Sequence, residues 1–367
     1  RVADLTSDGR QKVDMYYRIG RQLDEKLGDR MLAQENYERA LDIDGAHQPT
    51  LAALRAIAID AADWDRAARY LDAEQLVTDA PRVRAKLLVE LGKMRDEALG
   101  EHDLAIQAYE LALQCDDDNE DAALPLVNEY VSRQDWARAE PLAEMLVKKA
   151  GRRERAEQHM LSNLLGKILS AQRNYQGALK AYQTANQLDL TDQETIRGLA
   201  EVCFELGDWP SALTNFQKVL TSLEEHDSEQ RAYVYFKLGK IKQAQGQPKQ
   251  AINNFEKALQ VDPAHRPTLD AMVQLYEQAK DWAQVCHYKR IILDNVFDGE
   301  ERHRTLIEIG DIWADKDKGK TPVKAIEAYD EALDIKPSDH AVLHKQLAAC
   351  QAAQQWERMV DTLQRIA

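Results

Sequence analysis

Nine histidines are scattered along the chain, and only His340 and His344 stand four apart, the spacing that aims two imidazoles one way from a helix. No third ligand follows at a suitable distance, so these are expected to be surface histidines rather than half of a zinc site. The acidic run Asp116 to Asp121 has the composition of a calcium loop. However, Asp121 stands where such a loop needs glycine, and Val127 where it needs a bidentate glutamate. A solvated turn between helices is the expectation there. No nucleophile elbow, P-loop or dinucleotide glycine signature is present, so no catalytic residue, cofactor or metal is expected and the chain is not read as an enzyme. What does recur is a cation directly after a glycine, at Arg21, Lys93, Lys167 and Lys240, with Asp311 in the fifth place. One helical turn before the same glycines stand Tyr17, Val89, Asn163, Phe236 and Ile307. Cations beside apolar or aromatic faces suit an acidic, partly apolar segment. The competing reading is that they pair with nearby acids, namely Asp24, Glu90, Asp96 or Glu201.

The elements that must position these residues show themselves as an internal repeat. An aromatic falls at Tyr37, Tyr109, Tyr182, Phe255 and Tyr329, with spacings of 72, 73, 73 and 74. A tryptophan falls at Trp64, Trp136, Trp209, Trp282 and Trp356 with the same spacings, preceded by aspartate in all but the last, where Gln355 stands. Five double repeats result, covering about 12–80, 81–150, 151–222, 223–294 and 295–367. In each, an odd helix pair entered by Gly20, Gly92, Gly166, Gly239 or Gly310 is followed by an even pair carrying the tryptophan.

Tyr235 to Pro263 shows one odd pair in full. Leu238 and Gly239 lie on the first helix, Gly246 in the break, Ala251, Phe255 and Ala258 on the second, and Pro263 stops it. Small residues at these points let two helices approach to roughly 8 Å. The acid before each tryptophan is placed to cap a helix N-terminus. The glycine-to-alanine distance is 13 in the first two double repeats, 12 in the next two and 15 in the last, so DKDKGKTP (315–322) is expected to be an enlarged loop. Extra length at TDAPR, KKAGRRER, TSLEEHDSEQ and DNVFDGEERH should form loops or helix extensions. Around Pro125 and Pro141 a bend or a late helix start is expected. The tryptophans are expected to pack at the start of second helices, and Trp313 in the core.

This order of small, aromatic and proline positions resembles the tetratricopeptide repeat, with its period of about 34 residues, in a long array of bacterial type built of five double repeats. The resemblance implies an all-α, right-handed α-solenoid of about ten helix pairs, one continuous array over 1–367. It also implies that first helices line a concave groove, so that Tyr17, Arg21, Lys93, Asn163, Lys167, Phe236 and Lys240 are the candidates for holding a partner. Asn163 with Lys167 partly matches the carboxylate clamp of this family, but Gly198 occupies the place of the next asparagine. The asparagine ladder of its sugar-transferring members is replaced by Arg18, Ala53, Glu90, Pro125, Leu164, Gly198, Lys237 and Ala271.

Composition agrees with such an array, since 44% hydrophobic residues with 16 Gly and 10 Pro in 367 suit helices joined by short turns. A net charge of −15 argues against nucleic acid as the main partner. Apolar runs such as LAALRAIAID are interrupted by Arg55 and Asp60, so membrane insertion is not expected. Cys115, Cys203, Cys286 and Cys350 never form a C-x-x-C pair, and Cys203 and Cys350 read as small core residues, which favours a reducing, cytoplasmic setting. The start at Arg1 suggests a processed piece, and the stop at Ala367 an uncapped end. The functional expectation is a scaffold binding a protein or peptide segment in the groove. The alternatives are a regulatory or substrate-recruiting arm of a larger enzyme, such as a protease or transferase, and a homo-oligomer that buries the uncapped end.

Overall fold

The computed structural model describes residues 8–315 and 317–366; Arg1 to Ser7, Lys316 and Ala367, and with them the expectations about the two ends, lie outside the described residues. Regular structure among the described residues is helical, with no strand. The odd pairs are α1 (Gly9–Gln22) with α2 (Arg30–Ile43), α5 (Pro81–Glu97) with α6 (His102–Cys115), α9 (Arg155–Ala171) with α10 (Tyr175–Leu188), α13 (Ser228–Ala244) with α14 (Pro248–Val261), and α17 (Gly299–Ala314) with α18 (Pro322–Ile335). The even pairs are α3 (Gln48–Asp60) with α4 (Trp64–Leu76), α7 (Glu120–Ser132) with α8 (Trp136–Lys149), α11 (Gln193–Glu205) with α12 (Trp209–Ser222), α15 (Arg266–Gln278) with α16 (Trp282–Asp294), and α19 (His340–Ala352) with α20 (Trp356–Ile366). Contacts group the chain into two compact units that meet in sequence at Leu190 and Thr191, inside the third double repeat. One apolar core, from Ala58 to Ile168, belongs to the first unit, and one from Ala251 to Cys350 to the second.

Each odd pair closes by seating an aromatic ring on a bare glycine. A β-carbon added at Gly20, Gly92, Gly166, Gly239 or Gly310 would lie no farther than 2.8 Å from the ring of Tyr37, Tyr109, Tyr182, Phe255 or Tyr329. The rings are buried there, and burial pushes the phenols of Tyr37 and Tyr109 up to about 12.

Second helices begin where their local chemistry places them. The five repeat tryptophans, Trp64, Trp136, Trp209, Trp282 and Trp356, are the first residues of α4, α8, α12, α16 and α20. Asp63, Asp135, Asp208 and Asp281 cap the first four, accepting backbone N–H bonds of 3.2, 3.3, 3.3 and 3.2 Å from the residue three further on. The residue before each cap has a left-handed backbone, with φ of 53° at Ala62, 58° at Gln134, 74° at Gly207 and 59° at Lys280. The odd turns use the same device at Gly28, Gly100, Arg173, Gly246 and Lys320. A reversal this tight needs one residue of positive φ, and glycine is spared the roughly 1–2 kcal/mol that a side chain costs there.

The extra length between double repeats becomes helix. First helices α5, α9 and α13 have 17 residues and α17 has 16, against 13 in the even pairs. In the first double repeat the additional residue is absorbed as a π-helical turn, Leu23–Leu27, which lodges one insertion without breaking the helix. Pro125 and Pro141 lie inside α7 and α8, which start on time at Glu120 and Trp136, so a late start does not occur. The acidic run spans the turn into α7, where Asn119 is the cap.

Candidate interaction surface on the first helices

The acids that could have neutralised the recurring cations are engaged elsewhere. Asp24 lies 4.0 Å from Arg30, Glu90 2.5 Å from Arg55, Asp96 2.9 Å from His102 and Glu201 2.8 Å from Lys237. Arg21 pairs within its own helix, 3.4 Å from Glu25. Among the described residues, Lys93, Lys167 and Lys240 have no carboxylate within ion-pair distance; Lys93 and Lys167 are exposed and Lys240 half-buried. Asp311 departs from the pattern, accepting bonds from the Tyr329 hydroxyl at 2.7 Å and Lys345 at 2.6 Å.

A second set of charges, missed in the sequence, ties neighbouring first helices together. Arg55 of α3 joins Glu90 of α5, Lys237 of α13 joins Glu201 of α11, Arg266 of α15 joins Glu301 of α17 at 2.9 Å, and Lys345 of α19 joins Asp311 of α17. Lys237 is the most enclosed of these cations, its ammonium 4.2 Å from the centre of the Phe204 ring and 5.3 Å from that of Tyr233. Arg55 also meets the buried Glu74 at 3.2 Å, and burial raises that carboxyl above its usual range despite the guanidinium. The only signal of this ladder in the sequence is that Glu90 and Lys237 both stand two residues before a repeat glycine.

Two clefts open on these helices. In the first unit, Lys93 lines one of about 270 Å³ with Lys86, Val89, Glu90, Asn119 and Asp121. In the second, a cleft of about 520 Å³ lies between α11, α13 and the start of α15, with Phe216, Val219 and Val234 below and Arg197, Tyr233, His265 and Arg266 around it. Tyr233 donates to Glu201 at 2.8 Å, and Arg197 to Gln230 at 2.6 Å. His265 is bonded through Nδ1 to Thr268 at 2.7 Å, and burial lowers its pKa.

The remaining predicted residues serve packing more than the surface. Tyr17 is half-buried, 5.8 Å from the Tyr37 ring and edge-on to His47 at 5.5 Å; Phe236 repeats this with Phe255 and His265 at 6.0 and 5.7 Å. Asn163, expected in the open groove, is only 9% exposed, with Oδ1 lacking a hydrogen-bond partner. Trp136, Trp282 and Trp313 pack on the cores and Trp209 stands edge-on to Phe204, whereas Trp64 and Trp356 are 37% and 58% exposed. His340 and His344 are exposed, and among the described residues no group of three or more His, Cys, Asp or Glu could hold a metal ion. No helix of the described residues is long and apolar enough to cross a membrane.

Glycine-on-aromatic pairs repeated at this period define a helical repeat protein, and comparison with known proteins gives the kind. Three family models, each described as tetratricopeptide repeat, match residues 13–47, 124–190 and 192–264. The chain is a tetratricopeptide repeat protein, and as such a scaffold for protein–protein interaction. Similar solved structures include the C-terminal part of a TPR repeat-containing protein from Cytophaga hutchinsonii, 18% identical with a TM-score of 0.49, covering 71% of this chain and 97% of that one. Another is YrrB, a TPR protein with an unusual peptide-binding site, 22% identical with a TM-score of 0.43, covering 51% and 91%. A third is pilF of Pseudomonas aeruginosa, 13% identical with a TM-score of 0.37, covering 73% and 100%. No curated protein matches the chain in sequence.

Proposed function

We propose that each unit of this scaffold takes an acidic, partly apolar protein segment against its first helices, with Lys93 and Lys167 as the charges that meet it in the first unit and Lys240 in the second. The observation carrying this reading is that the three lysines are left without acids on a chain of net charge −15, while the acids beside them are held by the other side chains Arg55, His102 and Lys237. An unneutralised cation attracts an acidic segment at long range and gains most where the contact excludes water. The clefts beside Lys93 and Tyr233 offer apolar surface for its side chains. Four free cysteines, three of them buried, support a reducing, cytoplasmic setting.

The test begins with peptides selected against the chain from a displayed random library, followed by calorimetry on the best binders. The selected peptides should be acidic with apolar positions. Lys93→Glu with Lys167→Glu should weaken binding at least about tenfold, which is about 1.4 kcal/mol. Lys148→Glu with Lys257→Glu, two exposed lysines on second helices, should leave it unchanged. Equal binding by both double variants would overturn the assignment.

A further inference from the structure

Phe297, in the connection from α16 to α17, is 97% exposed, more than any other large apolar side chain of the described residues. The fold does not ask for a ring there. Counted fifteen residues on from the tryptophan of each pair, its counterparts are Asp79, Gly151 and Glu224, all exposed. The backbone that carries the ring is held in place: Arg302 donates to the carbonyls of Leu293 and Val296, and Asp298 caps α17 by accepting the Glu300 N–H at 3.1 Å. Asp294, Asp298, Glu300 and Glu301 flank the ring in sequence, so an aromatic anchor of the kind that dominates interfaces stands on an acidic loop.

A receptor for such a ring lies nearby in the same compact unit. The cleft of about 520 Å³ between α11, α13 and the start of α15 falls within the roughly 300–1,000 Å³ of ordinary ligand pockets. Tyr233 forms one wall, its hydroxyl fixed by Glu201 and its ring 38% exposed. On the rim, Arg197 donates to the neutral Gln230 Oε1 and has no carboxylate within ion-pair distance among the described residues. Arg266 connects the two features, since it lines the cleft and also pairs at 2.9 Å with Glu301, four residues past Phe297. The exposed ring leaves the cleft of its own chain open, but a second copy turned about a two-fold axis can bring each ring to the other's cleft, the self-complementary arrangement of a closed dimer.

We propose that two copies pair in this way, Phe297 of each entering the Tyr233 cleft of the other while the acids beside the ring meet Arg197. The two rings gain an aromatic contact, and opposite charge around the anchor fixes its orientation. Glu229, an exposed acid on the same rim, opposes this match, so its removal should strengthen the dimer. The contact shares the cleft with the peptide reading above and uses none of its lysines.

Sedimentation velocity on the whole chain, from low to high micromolar, tests the pairing. The wild-type protein should pass from monomer to dimer and form nothing larger. Phe297→Ala removes the ring, and Ala264→Trp fills the cleft from an exposed position in a turn; each should remain monomeric with unchanged helical circular dichroism. Arg197→Glu should weaken dimerisation at least about tenfold, and Glu229→Gln should strengthen it. Lys93→Glu with Lys167→Glu should dimerise as the wild type does, which separates this contact from the binding of peptides. Wild-type protein that stays monomeric throughout or grows beyond a dimer, or Phe297→Ala protein that associates like wild type, would overturn the proposal. So would full dimerisation by Ala264→Trp, which would mean that ring meets ring.

Discussion

The odd and even helix pairs have the same outline and are closed by different contacts. In the odd pairs the first helix offers a bare glycine and the second fills it with a ring, so nothing of intermediate size fits. Nine residues before each tryptophan, the even pairs place Arg55, Val127, Ala200, Val273 and Leu347 where the odd pairs have glycine. Their second helices are fixed instead at the N-terminus, by a tryptophan and an aspartate cap. A backbone-to-ring contact cannot give way without moving a helix, whereas a capped turn can lose one bond and keep its packing.

The strongest break of this comparison is Gly239→Leu. The new side chain collides with the buried Phe255 ring, and an overpacking cost of about 1–3 kcal/mol is expected, read as a lowered thermal midpoint. Hydrogen exchange should show protection lost mainly between Asp208 and Trp282, because repeats couple to their neighbours. Val273→Leu, at the matching place of the even pair, should cost less; an equal loss would erase the distinction. Next in size is the cap. Asp281→Ala should cost about 1 kcal/mol by chemical denaturation, and Gln355→Asp, supplying the cap that α20 lacks, should gain a similar amount.

Two histidines at helix starts give the pairs opposite pH responses. His102 opens α6 of an odd pair, and its bonds to Asp96 and Glu129 raise its pKa above the ordinary 6.5. Its contribution to stability is therefore present below 6.5 and lost as pH rises through the folded value. His265 precedes α15 of an even pair, and burial lowers its pKa. It costs no stability above 6.5, and the loss sets in as pH falls below that value toward the folded one. Thermal midpoints against pH should lose the alkaline decline in His102→Gln and the acid decline in His265→Gln; unchanged profiles would remove both assignments. The smallest effect concerns the turns. Lys280→Gly should gain roughly half a kcal/mol, since relief of the left-handed strain of about 1 kcal/mol exceeds the added backbone entropy, while Gly246→Ala should lose about 1 kcal/mol.

By itself the sequence determined whatever depends on residues close in the chain or on steric exclusion. The period, the seating of each ring on its glycine and the aspartate caps are of this kind, because a cap reaches three residues and only glycine admits a ring so near the backbone. The enlarged loop before α18 comes from counting alone. Partner choice among charges belonged to the tertiary structure. Glu201 was within plausible reach of Lys240, yet it meets Lys237, 36 residues away on the next first helix, because the pitch from repeat to repeat decides which cation arrives. The same holds for Asn163, which shares its helical face with the exposed Lys167 and is buried all the same. Whether the extra residues between double repeats became loop or helix was also settled by packing. Lengthening α5, α9 and α13 to 17 residues pairs backbone groups that a loop would have left to water. Nor does composition reveal that Gln134, Arg173 and Lys280 adopt positive φ, since the turn needs that shape wherever two helices must fold back, whichever residue stands there.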